Sequence, residues 1–208
     1  MAFMNYDFYL DHLTRVLTPA RLRHSLGAMQ VTVELAGFYG YNPAQAATAG
    51  LLHDCAKDLS QEEQERMARE GGFVPANDAE RDYNLYGHGV VGAYYARAVL
   101  GVTDPLVLDA IGMHCYSGDA GPGGTGRFFA PLCCCVRFAD VLEPNRNWDG
   151  TARAIGEGLP ALRAAAYAGR LEEAVLLHAV MIARFMTENG LPLHPNYHRV
   201  LALVGRWT

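Results

Sequence analysis

Residues 49–58 read AGLLHDCAKD, and this stretch sets an adjacent imidazole and carboxylate, His53 and Asp54, near the end of an apolar helix. That helix is predicted to open at Asn42-Pro43. Asparagine can cap, proline suits the first helical position, and Gln45 stands where a capping box wants glutamine or glutamate. The helix runs through Ala46, Ala49, Leu51 and Leu52 towards Lys57. Outward from it the chain reads as helix after helix; alanine and leucine are common where periodicity is clear, and strand-like alternation is scarce.

Upstream, helices are expected over 4–16 and from Arg21 to Tyr39, the second stopped near Gly40. Downstream, Ser60 with Glu63 forms a capping box that opens a polar helix to about Glu70. Residues 71–84 read as an irregular connection. A helix from Gly87 to Leu100 follows, with Gly101 at its C-terminal stop. Asp104-Pro105 caps another, reaching about His114. Residues 116–126 hold five glycines and a proline and read as a flexible loop. A helix over Phe129–Val141 is broken after Glu143 by Pro144, and the remainder gives helices near 151–168, 171–189 and 196–205. The fold class is therefore all-α, as one domain over residues 1–208.

Composition narrows the function classes. A chain of 208 residues, half of them hydrophobic, can bury a sizeable core. The net charge is −5 and no Lys/Arg-rich run appears, which argues against binding along a nucleic-acid backbone. The N-terminus MAFMNYDFYL lacks the basic and apolar regions of a signal peptide, and no stretch approaches the roughly 18 apolar residues of a membrane span. The expected compartment is the cytoplasm. The five cysteines are Cys55, Cys115 and the run Cys133-Cys134-Cys135, an odd and contiguous set that makes a poor disulfide framework. They read as reduced residues packed like small apolar ones.

Against this map, His24, the pair His53-Asp54, His88, His114 and Asp140 fall about once per element, mostly at helix ends. An all-helical fold can bring such residues to one point. Imidazole with carboxylate suits iron, manganese, cobalt or zinc. A structural zinc site would want four ligands, usually with cysteine. Six ligands suit two metals bridged by a carboxylate and a water, a pair that acidifies the water and neutralises phosphate charge. His178 lies on an apolar helical face with Leu171, Val175, Ile182 and Phe185 and reads as a core histidine. His194 and His198 read as structural, and His12 has no context.

Six segments occur in an order that resembles the HD superfamily of metal-dependent phosphohydrolases, in particular its symmetrical diadenosine tetraphosphate hydrolases. They are RLRHSLGAM at 21–29, AGLLHDCAKD at 49–58, HGVVGAYYA at 88–96, VLDAIGMH at 107–114, RFADVLEPNR at 137–146 and LPLHPNYHRVL at 191–201. The resemblance implies a single HD-type helical bundle, with a metal-binding core over about 21–146 and C-terminal helices over about 151–205. It implies two divalent metal ions, iron by preference, bridged by Asp54. His24, His53 and Asp140 would serve one ion, His88 and His114 the other. A hydroxide bridging the metals would cleave the nucleotide into two ADP, with Lys57, one turn beyond Asp54, contacting phosphate. Arg21 and Arg146 would hold phosphate oxygens or pair with carboxylates.

The chain departs from that family at three places. The loop after His114 is longer and richer in glycine. The family's Thr-Thr-Gly-like stretch is replaced by Cys115-Tyr116-Ser117-Gly118, with Thr125-Gly126 as its displaced counterpart and Arg127 close behind as a substrate contact. Cys133-Cys134-Cys135 occupies a helix where the family often has charged and aliphatic residues. The loop keeps open a different HD phosphohydrolase, acting on a nucleoside monophosphate, a deoxynucleotide or another phosphoester, because loops choose substrates. A non-catalytic nucleotide sensor is the reading from another class; retention of all six ligands and Lys57 argues against it. A homodimer is compatible with the chain, and its oligomeric state is not fixed by it.

Overall fold

The computed structural model describes residues 6–115, 129–146 and 152–204. They form α1 (Tyr6–Val16), α2 (Pro19–Ala36), α3 (Pro43–Leu52), α4 (Gln61–Glu70), α5 (His88–Ala98) and α6 (Pro105–Met113). Then come α7 (Pro131–Leu142), α8 (Arg153–Tyr167), α9 (Leu171–Glu188) and α10 (Pro195–Val204), with no strand among the described residues. The loop 116–126 and Arg127 lie outside the described residues.

Short polar side chains start the helices. Asn42 accepts from the Ala44 amide at 2.8 Å, and Asp104 from the Leu106 amide at 2.9 Å. Ser60 and Glu63 close a reciprocal capping box. Gly40 and Gly101 both adopt φ 71°, a left-handed conformation that favours glycine where a helical run must end.

Three elements differ from the sequence reading. Gln45 closes no box with Asn42; its amide reaches Asp104 Oδ2 at 2.7 Å and ties the starts of α3 and α6 together. Helix α3 stops at Leu52, and the chain to Leu59 advances in turns with three-residue bonds, such as Lys57 N to Asp54 O at 3.0 Å. The Asp58 carboxylate draws this stretch aside by accepting from the backbone and hydroxyl of Thr18, at 2.8 and 3.0 Å. The connection 71–84 is not wholly irregular. It carries a 3-10 turn at Ala79–Arg81 and a π-helical turn at Tyr83–Gly87, the latter started by Asp82 accepting from the Asn84 and Leu85 amides.

Helices α2 and α3 pack most closely, α7 lies against α2, and α5 pairs with α6. The α8–α9 hairpin covers α7, and α10 rests on α9. A contiguous core runs from Leu13 to Val200. At its C-terminal end, buried His194 meets buried Glu80 at 2.9 Å, which ties the start of α10 to the segment preceding His88. Among the described residues, no helix is long and apolar enough to cross a membrane.

Candidate metal centre

The helix ends point inward. His53 and His114 are the C-terminal caps of α3 and α6, His88 opens α5, His24 sits in the second turn of α2, and Asp140 lies near the end of α7. The final carbonyls of a helix have no intrahelical partner. Two histidines use them: His53 Nδ1–H donates to Gly50 O at 2.8 Å, and His114 Nδ1–H to Ile111 O at 2.7 Å. His88 does the same across the π-helical turn, to Tyr83 O at 3.0 Å. His24 Nδ1 instead faces the buried Glu143 carboxylate at 3.1 Å. A carbonyl can only accept, so these contacts put the proton on Nδ1 and aim the Nε2 lone pair at the centre.

Six side chains converge there. His24 Nε2 and His53 Nε2 are 3.1 Å apart, and Asp140 Oδ1 lies 3.1 and 3.7 Å from them. His88 Nε2 and His114 Nε2 are 3.2 Å apart. Asp54 stands between the two groups. Its Oδ2 is 3.7 Å from both His24 Nε2 and His53 Nε2, and its Oδ1 is 3.3 Å from His88 Nε2 and 3.6 Å from His114 Nε2. Imidazole lone pairs brought this close repel unless a cation or proton lies between them. The donor set therefore fits borderline divalent metals.

The electrostatics hold the two carboxylates, His88 and His114 in ligand-competent states. Burial alone would raise the Asp54 carboxyl, but His53, Lys57, His114 and His88 hold it well below the usual range. Asp140 is likewise held low against burial by Arg146 and then by His24 and His53. Burial and the Lys57 ammonium push His88 down to about 3, and burial lowers His114. His53 runs the other way: burial would lower it, but Asp54 and Asp140 raise it. At neutral pH the carboxylates are ionised and His88 and His114 are neutral, the forms that bind metals.

Three of the four predicted cations, Lys57, Arg21 and Arg146, meet the same cluster; the fourth, Arg127, lies outside the described residues. Lys57 Nζ lies 2.9 and 3.0 Å from the two nitrogens of His88 and donates to Asn84 O at 2.5 Å. Its approach comes from the turns after Leu52, not from a continued helix. Arg21 Nη1 donates to Asp54 Oδ2 at 2.9 Å. Arg146 donates to Asp140 Oδ1 and spans both ring nitrogens of His24, at 3.2 and 3.3 Å. Both arginines thus pair with carboxylates of the cluster itself.

Sequence reasoning passed over three supporting residues. Glu143 lies one turn beyond Asp140, and Gly27 leaves room for it: a Cβ there would come within 2.2 Å of Glu143 Oε2. Arg137, one turn before Asp140 and 2% exposed, donates to Met113 O at 2.7 Å and grips the end of α6. Cys115, next to His114, has its Sγ 2.9 Å from both His88 Nε2 and His114 Nε2. Helical spacing from Asp140 could have flagged the first two, and adjacency to His114 the third. The remaining histidines stay outside the cluster. His178 is buried against Phe138, with ring centroids 5.9 Å apart, and His12 bonds the Tyr95 hydroxyl at 2.6 Å. His198 is exposed.

A cleft of about 150 Å³ opens beside the cluster, lined among others by Lys57, Tyr86, Arg137, Arg146 and His178. A larger groove of about 350 Å³ between α4, α5 and α6 includes none of the six clustered residues.

The HD domain family matches residues 21–145, a span that holds every one of the six. The chain belongs to the HD domain family. It is 30% identical over 198 residues to a symmetrical bis(5'-nucleosyl)-tetraphosphatase of Halalkalibacterium halodurans, covering 93% of each chain. It is 36% identical over 148 residues to the protein of that name from Bacillus subtilis, covering 71% of this chain and 74% of that one. A crystal structure from Clostridium acetobutylicum, described as a predicted HD superfamily hydrolase involved in NAD metabolism, superposes with a TM-score of 0.77 at 32% identity. That match covers 97% of this chain and 98% of the other. Membership implies divalent-metal binding, and the His/Asp groups of the cluster are placed for it.

Proposed function

We propose that this single HD-type domain hydrolyses diadenosine tetraphosphate symmetrically to two ADP, at two divalent metal ions held by His24, His53, Asp54, His88, His114 and Asp140. The observation that carries the reading is Asp54, whose two oxygens face the His24/His53/Asp140 group and the His88/His114 group separately. The names of the H. halodurans and B. subtilis relatives support the substrate. Iron is the proposed metal, and the cytoplasm, where free buried cysteines persist, the proposed compartment.

Metal ions bound there acidify water and neutralise phosphate charge. Asp54 fixes the spacing of the two ligand groups. The Nδ1 contacts hold the imidazoles in one tautomer, so little reorganisation accompanies the reaction. Lys57, already carried to His88 by its turn, donates to a phosphate oxygen as negative charge develops. Arg21 and Arg146 position the carboxylates of Asp54 and Asp140 and bring positive charge to the polyphosphate. Water attacks a phosphorus beside the central bridging oxygen, and ADP departs. A nucleoside diphosphate is a good leaving group, so no strong acid is required of the chain. The 150 Å³ cleft is small beside the roughly 300–1,000 Å³ of typical ligand pockets, so it suits the phosphate chain and leaves the nucleosides outside. Arg127 is a further proposed substrate contact.

The test is product analysis with metal-loaded protein on diadenosine tri-, tetra- and pentaphosphate, mononucleotides and a simple phosphodiester. ADP should be the sole product from the tetraphosphate, which should rank among the best substrates. Equal amounts of ATP and AMP, or faster turnover of mononucleotides, would overturn the assignment.

A further inference from the structure

We propose that Cys115 is a thiolate ligand of the metal ion at His88 and His114, an inference that rests on the metal-site reading above. Cys115 Sγ lies 2.9 Å from each Nε2, and the two nitrogens are 3.2 Å apart. This is tighter than the 3.5 Å from Cys55 Sγ to the Gly92 carbonyl, an ordinary thiol contact. Bond lengths of about 2.1 Å to imidazole nitrogen and about 2.3 Å to thiolate sulfur let one ion touch all three atoms at angles of roughly 80–100°. The triangle is one corner of an ordinary coordination sphere.

The backbone is built to keep the sulfur there. Cys115 is only 9% exposed and directly follows the helix-capping His114. Buried Arg137 holds the Met113 and His114 carbonyls, at 2.7 and 3.4 Å, which fixes the turn carrying the thiol. Gly89, next to His88, opens the space: a Cβ there would lie 3.3 Å from Cys115 Sγ and 2.9 Å from Gly112 O. The other cysteines point elsewhere. Cys55 turns to the Gly92 carbonyl, and Cys133, Cys134 and Cys135 are buried in α7.

Ligation exchanges the S–H bond for a sulfur–metal bond and releases the proton to solvent, with no change of oxidation state. The soft thiolate distinguishes the two ions. The ion at His88 and His114 sees nitrogen, oxygen and sulfur and favours zinc, iron or cobalt over manganese. The ion at His24, His53 and Asp140 sees nitrogen and oxygen alone.

X-ray absorption on zinc-loaded wild-type protein should show about half a sulfur per zinc, averaged over two ions. Cobalt-loaded wild type should show a near-ultraviolet sulfur-to-cobalt charge-transfer band that Cys115→Ser loses and Cys55→Ser keeps. In a chelator titration Cys115→Ser should release one of its two ions about tenfold more readily. Two zinc ions per chain with only nitrogen and oxygen neighbours would overturn the ligand and leave the metal site standing; so would a cobalt band that survives in Cys115→Ser. A chain that takes up no metal would overturn both. The absorption measurement needs no variant, so poor folding of Cys115→Ser would not shelter the proposal.

Discussion

Gly50→Ala should loosen one half of the metal site and leave the other. Gly50 lies on α3, one turn before His53, and its carbonyl holds the His53 ring. A Cβ at this position would sit 2.7 Å from Met29 Cα and 2.7 Å from Thr32 Oγ1, both on α2. Met29 Cα is backbone and cannot swing away. Reaching 3.4 Å, the near edge of ordinary contact, requires the two helices to part by 0.7 Å (3.4 less 2.7). His24 rides on α2 and His53 on α3, with their Nε2 atoms 3.1 Å apart. Metal–ligand distances tolerate only about 0.2 Å. Overpacking costs about 1–3 kcal/mol, at the upper end here because backbone must move, and alanine's helix propensity returns about 1 kcal/mol. The net loss of about 2 kcal/mol lowers the melting temperature of a chain this size by about 4–8 °C. Gly156→Ala is the control: that glycine is helical and exposed, with nothing within 4 Å of an added Cβ, so it should gain a few tenths to about 1 kcal/mol. Calorimetry of the metal-stripped chains and elemental analysis of the loaded ones read both effects. Gly50→Ala should retain about one ion per chain, held by His88 and His114. If it melts like the control and retains two ions, α2–α3 contact does not set the site.

Other substitutions probe the remaining groups. Asp54→Ala removes the carboxylate between the two ligand groups and should abolish metal loading and turnover alike; an active variant would sink the two-metal reading. Lys57→Met should leave metal content unchanged while turnover falls about 10²–10³-fold, the scale for a donor aimed at developing charge; an unchanged rate would remove Lys57 from the mechanism. His178 sets an acid limit on stability, because burial, then Arg137, pushes it down to about 3 from an unfolded value of 6.5. The unfolded chain then binds the extra proton first. Stability from this group is complete above pH 6.5 and lost as pH falls towards 3, amounting to about 2 kcal/mol by pH 5. His178→Met should flatten the urea-unfolding free energy between pH 6.5 and 5 relative to wild type; parallel curves would refute this.

What was legible followed local chemistry. Asn42, Ser60 and Asp104 announce helix starts because a short polar side chain meets its own backbone within three residues. His53 with Asp54 and the four other candidate ligands were legible as residue types falling about once per element, mostly at element ends. Partners distant in sequence were not. Gln45 satisfies the capping-box spacing yet bonds Asp104, 59 positions away. The spacing of Lys57 suggested one helical turn, but Asp58 is drawn to Thr18, the helix ends, and Lys57 reaches His88 by turns. Arg137 reads as a charged residue in an apolar run and is in fact among the most buried side chains, because it supplies donors to the carbonyls that end α6.

The unpaired carbonyls at helix ends explain why most of the candidate ligand histidines lie there. A ligand histidine needs its Nδ1 proton held so that Nε2 stays free and aimed. In a helix interior each carbonyl already accepts from the amide four residues on, so unshared carbonyls are not found there. The C-terminal turn offers several. His53 and His114 each use the carbonyl three residues back, at Gly50 and Ile111. His88 begins its helix, where such carbonyls are ordinarily absent, and the π-helical turn before it supplies one five residues back, at Tyr83. His24 lies in a helix interior, and its Nδ1 faces the Glu143 carboxylate from another part of the chain, in the space left by Gly27. The π-helical turn and the buried glutamate are thus two answers to one requirement.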